Sequence, residues 1–83
     1  MNLVSLTEEI IKKLVSDPES VSVKEFETDE ENTIQIEVLI SSDDMGRVIG
    51  KNGKIINSIR TIVQASSSLT EENKRVRINV DSY

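Results

Sequence analysis

One stretch of the chain decides its fold, Val48-Ile49-Gly50-Lys51-Asn52-Gly53-Lys54-Ile55-Ile56. Two apolar residues lead into a G-x-x-G sequence, and apolar residues at helical spacing follow it. Glycine lacks the Cβ that would keep a ligand away from the backbone, and it permits positive φ. A helix that begins at the second glycine points its unpaired N–H groups and its positive dipole end toward the loop. The loop from Gly50 to Gly53 is therefore predicted to hold a phosphate chain.

Three other interpretations of this loop compete. Asn52-Gly53 is typical of a β-hairpin turn, but the residues that follow have helical rather than alternating spacing. A G-x-x-x-x-G-K-[ST] phosphate loop needs four residues between its glycines. Gly46 and Gly50 are separated by three, and Asn52 stands where the motif needs Ser or Thr. A glycine-rich turn between two helices with no ligand is the alternative that stays open.

Helices are predicted on both sides of the loop. Ser41-Ser42-Asp43-Asp44 supplies N-cap residues for a short helix from about Asp44 to Ile49, which ends at Gly50. Five apolar residues at helical spacing predict a longer helix from about Gly53 to Ser67, namely Ile55, Ile56, Ile59, Ile62 and Val63. A polar loop is expected from Ser66 to Asn73.

An amphipathic helix is also predicted at the start of the chain. Its apolar stripe is formed by Leu3, Leu6, Ile10 and Leu14. Ser5 and Glu8 have the spacing of a capping box, although the helix can also begin at Asn2. The sequence Asp17-Pro18 ends it, because the residue before proline is driven out of the helical region.

Three strands complete the pattern. Val21, Val23 and Phe26 suggest a short strand whose alternation slips after Lys24-Glu25. An acidic turn over 28–32 joins it, as a hairpin, to the clearest strand, in which Ile34, Ile36, Val38 and Ile40 alternate with other residues. Val76, Ile78 and Val80 form the last strand. The chain is therefore predicted to be α+β, in the order α-β-β-α-α-β, with one domain over 1–83.

The composition excludes most enzyme classes. The 83 residues contain no cysteine and no histidine, which removes thiolate and imidazole chemistry and the usual metal ligands. The pair Asp43-Asp44 lies at a predicted helix N-cap, where capping is expected rather than acid–base work or Mg²⁺ binding. No catalysis, metal or cofactor is expected. Tryptophan is absent and Phe26 and Tyr83 are the only aromatic residues, so base-stacking platforms of the RRM or OB kind are disfavoured.

The charges are unevenly distributed. The net charge is −5, which alone argues against a nucleic-acid partner. Residues 1–44 carry 3 basic and 12 acidic side chains, a charge of −9, whereas residues 45–83 carry 7 and 3, a charge of +4. Residues 45–60 contain four cations and no acid: Arg47, Lys51, Lys54 and Arg60. The first residues lack a basic signal region, and no long apolar run follows, so a soluble, cytoplasmic protein is expected.

Taken together, these features resemble a known family. The G-x-x-G stretch and its apolar flanks resemble the signature of KH domains, and the element order resembles the bacterial type II KH fold, a three-stranded sheet covered by three helices. Two further stretches and the total length are similar to the small single-KH proteins of the KhpA family: Gly46-Arg47-Val48-Ile49 and Ile59-Arg60-Thr61-Ile62-Val63-Gln64-Ala65. The serine run over 66–68 departs from the alanine-rich turn expected there.

The resemblance implies low-specificity binding of single-stranded RNA, with about four nucleotides clamped by the loop. Backbone approach would come from Gly50 and Gly53, and phosphate-binding amides from Lys51, Asn52 and Lys54. Positive charge would come from Lys51 and Lys54, widened by Arg47 and Arg60. Ile49 and Ile56 match positions that line the apolar groove for bases, and each is equally compatible with the core. The family further implies an RNA chaperone that pairs with itself or with a second KH protein, KhpB, and acts in cell elongation and envelope synthesis. A protein–protein adaptor built on a KH scaffold is the alternative.

Overall fold

The computed structural model describes residues 2–69 and 73–83. Within these ranges the elements follow the predicted α+β order, which is confirmed. The helices and strands are α1 (Leu3–Leu14), β1 (Ser22–Glu27), β2 (Thr33–Ile40), α2 (Met45–Ile49), α3 (Lys54–Ser68) and β3 (Arg75–Ser82). Single 3-10 turns occupy Pro18–Ser20, Ser42–Asp44 and Lys51–Gly53.

The first helix begins at the earlier of its two possible caps. The Asn2 side chain accepts hydrogen bonds from the N–H groups of Val4 and Ser5, so Asn2 and not Ser5 is the N-cap. The helix ends at Leu14, before the Asp17-Pro18 sequence. Its buried centre is Ile11 together with Thr7, a polar residue outside the predicted apolar stripe. Thr7 is accommodated because its Oγ1 donates to the carbonyl of Leu3 at 2.8 Å.

The three strands form one sheet in the order β1-β2-β3. The first two form the predicted antiparallel hairpin, and β3 runs parallel to β2. The predicted slip in β1 is wrong, because its register is continuous from Ser22 opposite Leu39 to Glu27 opposite Ile34. Val23 is buried beneath the helices, whereas Phe26 points to the other face of the sheet and is 51% exposed.

The core lies between the sheet and the helices. The inward face of β2 contributes four aliphatic side chains, as its alternation predicted, and each helix adds at least one more. The buried apolar residues of the sheet and the helices are Val23, Ile34, Ile36, Val38, Ile40, Ile78, Ile11, Val48, Ile56, Ile59 and Val63. The opposite face of the sheet is not covered by any described element. The helices therefore lie on one side only, and the G-x-x-G loop is on that side.

The long helix runs one residue further than predicted, to Ser68. Its serine run is compatible with a helix because the hydroxyls of Ser66 and Ser68 donate to carbonyl groups four residues earlier. The polar loop predicted after it lies partly outside the described residues, which do not include positions 1 and 70–72.

Candidate nucleic-acid interface

The G-x-x-G loop links α2 to α3 through one tight 3-10 turn. Three of its four residues have positive φ: Gly50 (75°), Asn52 (57°) and Gly53 (74°). Gly53 is the N-cap of α3, so the helix begins at Lys54, one residue later than predicted. Asparagine is among the few residues other than glycine that adopt this conformation readily. The loop is consequently a short connection whose positive φ values fall on residues that tolerate them.

Two amides of the loop are available to a ligand, where the sequence suggested three. The N–H of Lys54 donates to the Lys51 carbonyl, and that of Gly53 donates to Gly50. Within the described part of the chain, the N–H groups of Lys51 and Asn52 have no protein acceptor. No side chain caps the first turn of α3. These donors lie together with the positive end of the helix dipole, which is the arrangement that binds anions at helix N-termini.

Gly50 is required by packing as well as by any ligand. A Cβ placed on it would lie 2.6 Å from Cγ1 and 3.0 Å from Cβ of Ile55. At Gly53 the nearest atom to such a Cβ is 3.6 Å away, on Asn57. The alternative of a ligand-free turn therefore explains the first glycine, whose space Ile55 occupies. A ligand-free turn does not explain the lysines in the loop and directly after it, Lys51 and Lys54.

Lys51 in the loop and Lys54 directly after it are exposed. Among residues 2–69 and 73–83, neither Lys51 nor Lys54 forms an ion pair or a side-chain hydrogen bond. Arg47 is 55% exposed, and its Nη1 lies 3.0 Å from the Asp44 carboxylate. Lys51, Lys54 and part of Arg47 thus offer positive charge beside the free amides.

Arg60 has structural bonds that the sequence did not indicate. Its Nε and Nη2 donate to the carbonyl of Ile78, at 3.2 and 3.0 Å, and its Nη1 donates to Asn57 Oδ1 at 3.0 Å. All three guanidinium nitrogens thus already have acceptors. Arg60 fastens α3 to β3, and this role was not visible in the sequence because β3 is distant along the chain.

The two predicted groove isoleucines differ in exposure. Ile56 is 4% exposed and belongs to the core. Ile49 is half-buried at the end of α2 and packs against the core from outside. Of the pair, Ile49 is the one with surface that a base can contact, and Ile56 supports the loop from below.

The sequence predicted that Asp44 caps α2, but its buried carboxylate does not do so. It occupies the N-cap position but makes no capping hydrogen bond. Instead it accepts from the N–H of Ser16 at 2.9 Å, from Ser16 Oγ at 2.8 Å and from the N–H of Asp17 at 3.2 Å. The bond from the Ser16 backbone is the main cause that lowers the pKa of Asp44. Burial opposes it, while the Ser16 hydroxyl, Asp17 and Arg47 reinforce it.

Side chains of α3 bond to part of the free edge of β3. The Gln64 side chain accepts from the N–H of Val76 and donates to the Lys74 carbonyl, and Arg60 binds Ile78 further along. Gln64, later in α3, contacts Val76, whereas Arg60, earlier in α3, contacts Ile78, further along β3. The two elements are therefore antiparallel. The start of α3, with the loop, therefore lies level with the end of β3.

After Ile78, toward the end of β3, the outer edge of this strand forms no hydrogen bonds with the described side chains of α3. Alternate residues of a strand direct their N–H and C=O groups to the same side. Since Val76 and Ile78 bond outward to α3, the backbone groups of Val80 also point outward, away from β2. No described side chain bonds to them. Val80 is a functional candidate that sequence reasoning missed, because only the antiparallel packing of α3 brings it opposite the loop.

The acidic turn lies at the other end of the sheet. It joins β1 to the start of β2, and Thr33 at that start is paired with Arg75 at the start of β3. The loop is level with the end of β3, and the molecule is 36 Å in its longest dimension. The carboxylates of this turn, Asp29, Glu30 and Glu31, are therefore separated from the loop by most of the length of the sheet.

Comparisons with known proteins agree with this geometry. Residues 4–80 match the model of the family described as KhpA/KhpB, KH domain. The chain is 40% identical to the RNA-binding protein KhpA of Oceanobacillus iheyensis over 76 residues, which cover 92% of this chain and 96% of the relative. It is 44% identical to the protein of the same name from Clostridium perfringens over 75 residues, 90% and 95% of the two chains. No solved structure matches significantly.

No helix among the described residues is long and apolar enough to span a membrane. No three His, Cys, Asp or Glu side chains among them are grouped so that they could hold a metal ion.

Proposed function

Because the chain belongs to the KhpA/KhpB family of KH domains and has the type II KH fold, we propose that it binds single-stranded RNA through the G-x-x-G loop, with little base preference. One observation carries the proposal. Within residues 2–69 and 73–83, two loop amides have no protein acceptor and two lysines have no ion-pair partner, and all of them lie within Lys51–Lys54. An adaptor that does not bind nucleic acid needs neither feature.

The phosphates would contact the loop and the bases would lie toward β3. The amides of Lys51 and Asn52 would donate to phosphate oxygens, and the ammonium groups of Lys51 and Lys54 would add charge. A base resting against Ile49 would then be opposite the open backbone groups of Val80, which can bond to a base edge without selecting one base strongly. Few contacts of this kind and no aromatic stacking predict modest affinity.

A charge-reversed loop tests the proposal. In the double variant Lys51→Asp, Asn52→Asp, the new carboxylates repel phosphate, while aspartate at position 52 tolerates the positive φ. Binding of a fluorescently labelled single-stranded RNA is expected to be lost in this variant, with a wild-type circular dichroism spectrum. The matched control is Lys24→Glu, Asn32→Asp. It changes the net charge equally and also replaces an asparagine of positive φ (56°), but lies in the hairpin.

The expected result is loss of binding in the loop variant and retention in the control. Equal binding by the two variants would show that net charge and not the loop governs the affinity. A wild-type protein that does not bind RNA would favour the adaptor.

The finer biological role follows the family resemblance. We propose an RNA chaperone of the cytoplasm that pairs with itself or with a KhpB-type KH protein and acts in cell elongation and envelope synthesis. Pairing is supported by α3, where Ile55 and Ile62 are seven residues apart and 36% and 50% exposed. A second domain would raise the affinity of weak single sites through effective concentration. Sedimentation of wild type and of Ile62→Glu, expected to be a dimer and a monomer, tests the pairing, and equal masses would contradict it.

A further inference from the structure

The most unusual group outside the loop is the carboxylate of Asp44. It is completely buried, and both of its oxygens accept hydrogen bonds. Three of its bonds come from Ser16 and Asp17, which follow α1 and are 27 or 28 residues away in sequence. The fourth comes from Arg47. A buried charge is retained only where partners compensate it, so this group has a specific structural task.

The task concerns α2, the helix that leads into the loop. With five residues it is far too short to be stable by itself, and its direction depends on tertiary contacts. Val48 fixes it to the core, and Asp44, the residue before its first turn, bonds to the segment after α1. At its other end α2 is followed directly by Gly50, the first residue of the loop.

Arg47 connects this anchor to the surface. Its Nη1 donates to Asp44 Oδ1 at 3.0 Å and to the carbonyl of Asp43 at 3.4 Å. Among the described residues, its Nε and Nη2 have no acceptor. Arg47 precedes Gly50 by three residues, so its backbone is about one helical turn from the loop. Its guanidinium extends back toward Asp43 and Asp44 at the start of α2. A guanidinium held by one nitrogen presents its other donors in a fixed orientation, and such a fork suits a phosphate.

We infer that Asp44 is a positioning residue for RNA binding, which holds Arg47 so that its free donors meet an RNA phosphate at the start of α2, next to the phosphates that the loop binds. This inference rests on the proposed function. Asp44 acts through Arg47 and touches no ligand itself.

The inference predicts that removal of a negative charge weakens RNA binding. Asp44→Asn removes a negative charge close to the phosphate site, and simple electrostatics predicts that RNA binds more tightly. Positioning predicts the reverse, because Arg47 loses its charged partner. We expect Asp44→Asn and Arg47→Gln each to weaken RNA binding about three- to tenfold, the effect of losing one ordinary hydrogen bond. Each is also expected to reduce the salt slope by about 0.7.

The experiment is a double-variant cycle, measured by fluorescence anisotropy with a labelled ten-nucleotide oligouridine. Asp44→Asn is expected to have no weakening effect when Arg47 is already glutamine. Ser16→Ala is the control for stability, because it removes a hydrogen bond from the same carboxylate but leaves the pair with Arg47. Its affinity is expected within about twofold of wild type. Circular dichroism confirms that each variant is folded at the assay temperature.

Three results would overturn the inference: tighter or unchanged binding by Asp44→Asn, additive effects of the two substitutions, or equal weakening by Ser16→Ala. If wild-type protein binds no RNA, the proposed function fails as well. If it binds and loses affinity only on Arg47→Gln, the proposed function stands and the role of Asp44 is refuted.

Discussion

Replacement of Gly50 by alanine is expected to destabilise the folded protein more than the same replacement at the other glycines. Gly50 has φ 75° and ψ 174°, a combination that is essentially restricted to glycine. An added Cβ would also lie 2.6 Å from Cγ1 and 2.9 Å from Cδ1 of Ile55. These two atoms can rotate away, since the side chain is 36% exposed. The Cβ of Ile55, at 3.0 Å, can move only if α3 itself moves.

The expected cost is the sum of two effects. The backbone conformation contributes about 1–3 kcal/mol, and overpacking against Ile55 contributes about 1–3 kcal/mol more. We expect a total of about 2–6 kcal/mol in the free energy of unfolding. A domain of 83 residues has roughly 4–12 kcal/mol to lose. The melting temperature should fall by about 8 °C or more.

Two other glycines provide the comparison. Gly53→Ala meets ordinary contacts and retains only the cost of its left-handed φ, about 1–2 kcal/mol. Gly46→Ala lies in α2 with no atom within 4 Å, and should stabilise the protein by about 0.5–1 kcal/mol. Urea unfolding followed by circular dichroism measures all three. The reasoning is refuted if Gly50→Ala costs no more than Gly53→Ala.

Three further predictions concern other parts of the molecule. Arg60→Gln should lower the free energy of unfolding by about 1–2 kcal/mol, because the carbonyl of Ile78 loses its donors. The control Lys54→Gln should change this free energy by less than about 0.5 kcal/mol. Equal effects of the two substitutions in urea titrations would contradict the fastening role of Arg60. The lowered pKa of Asp44 stabilises the folded state above the unfolded pKa, so wild-type stability should decrease as the pH falls below about 4. Asp44→Asn should lack this component, and identical pH profiles of the melting temperature would refute it. RNA affinity should fall with salt at a logarithmic slope of about −2 to −3, which is about 0.7 for each of three or four phosphate contacts; a flat salt titration would contradict a phosphate clamp.

Features set by local spacing were predictable from the sequence. The alternation of Ile34, Ile36, Val38 and Ile40 predicted β2, and the helical spacing of isoleucines predicted α3 to within one residue at each end. The glycines of the loop predicted its positive φ values. In each case the decisive residues are within a few positions of one another, so one-dimensional periodicity is sufficient.

Features set by distant contacts were not predictable. The alternation predicts a slip in β1 at Phe26, but this side chain lies on the face of the sheet that no described helix covers. Capping of α2 is predicted for Asp44, whereas its donors, Ser16 and Asp17, come from the segment after α1, 27 or 28 residues away. Arg60 and Val80 acquired their roles only when α3 packed antiparallel to β3.

An NMR titration of ¹⁵N-labelled protein with a short single-stranded RNA shows whether RNA contacts the loop. If the loop is the clamp, the largest shifts should occur at the amides of Lys51 and Asn52, with a second group at Val80 across the groove. Shifts confined to the uncovered face of the sheet, around Phe26 and Leu39, would contradict the account, as would a spectrum that RNA leaves unchanged.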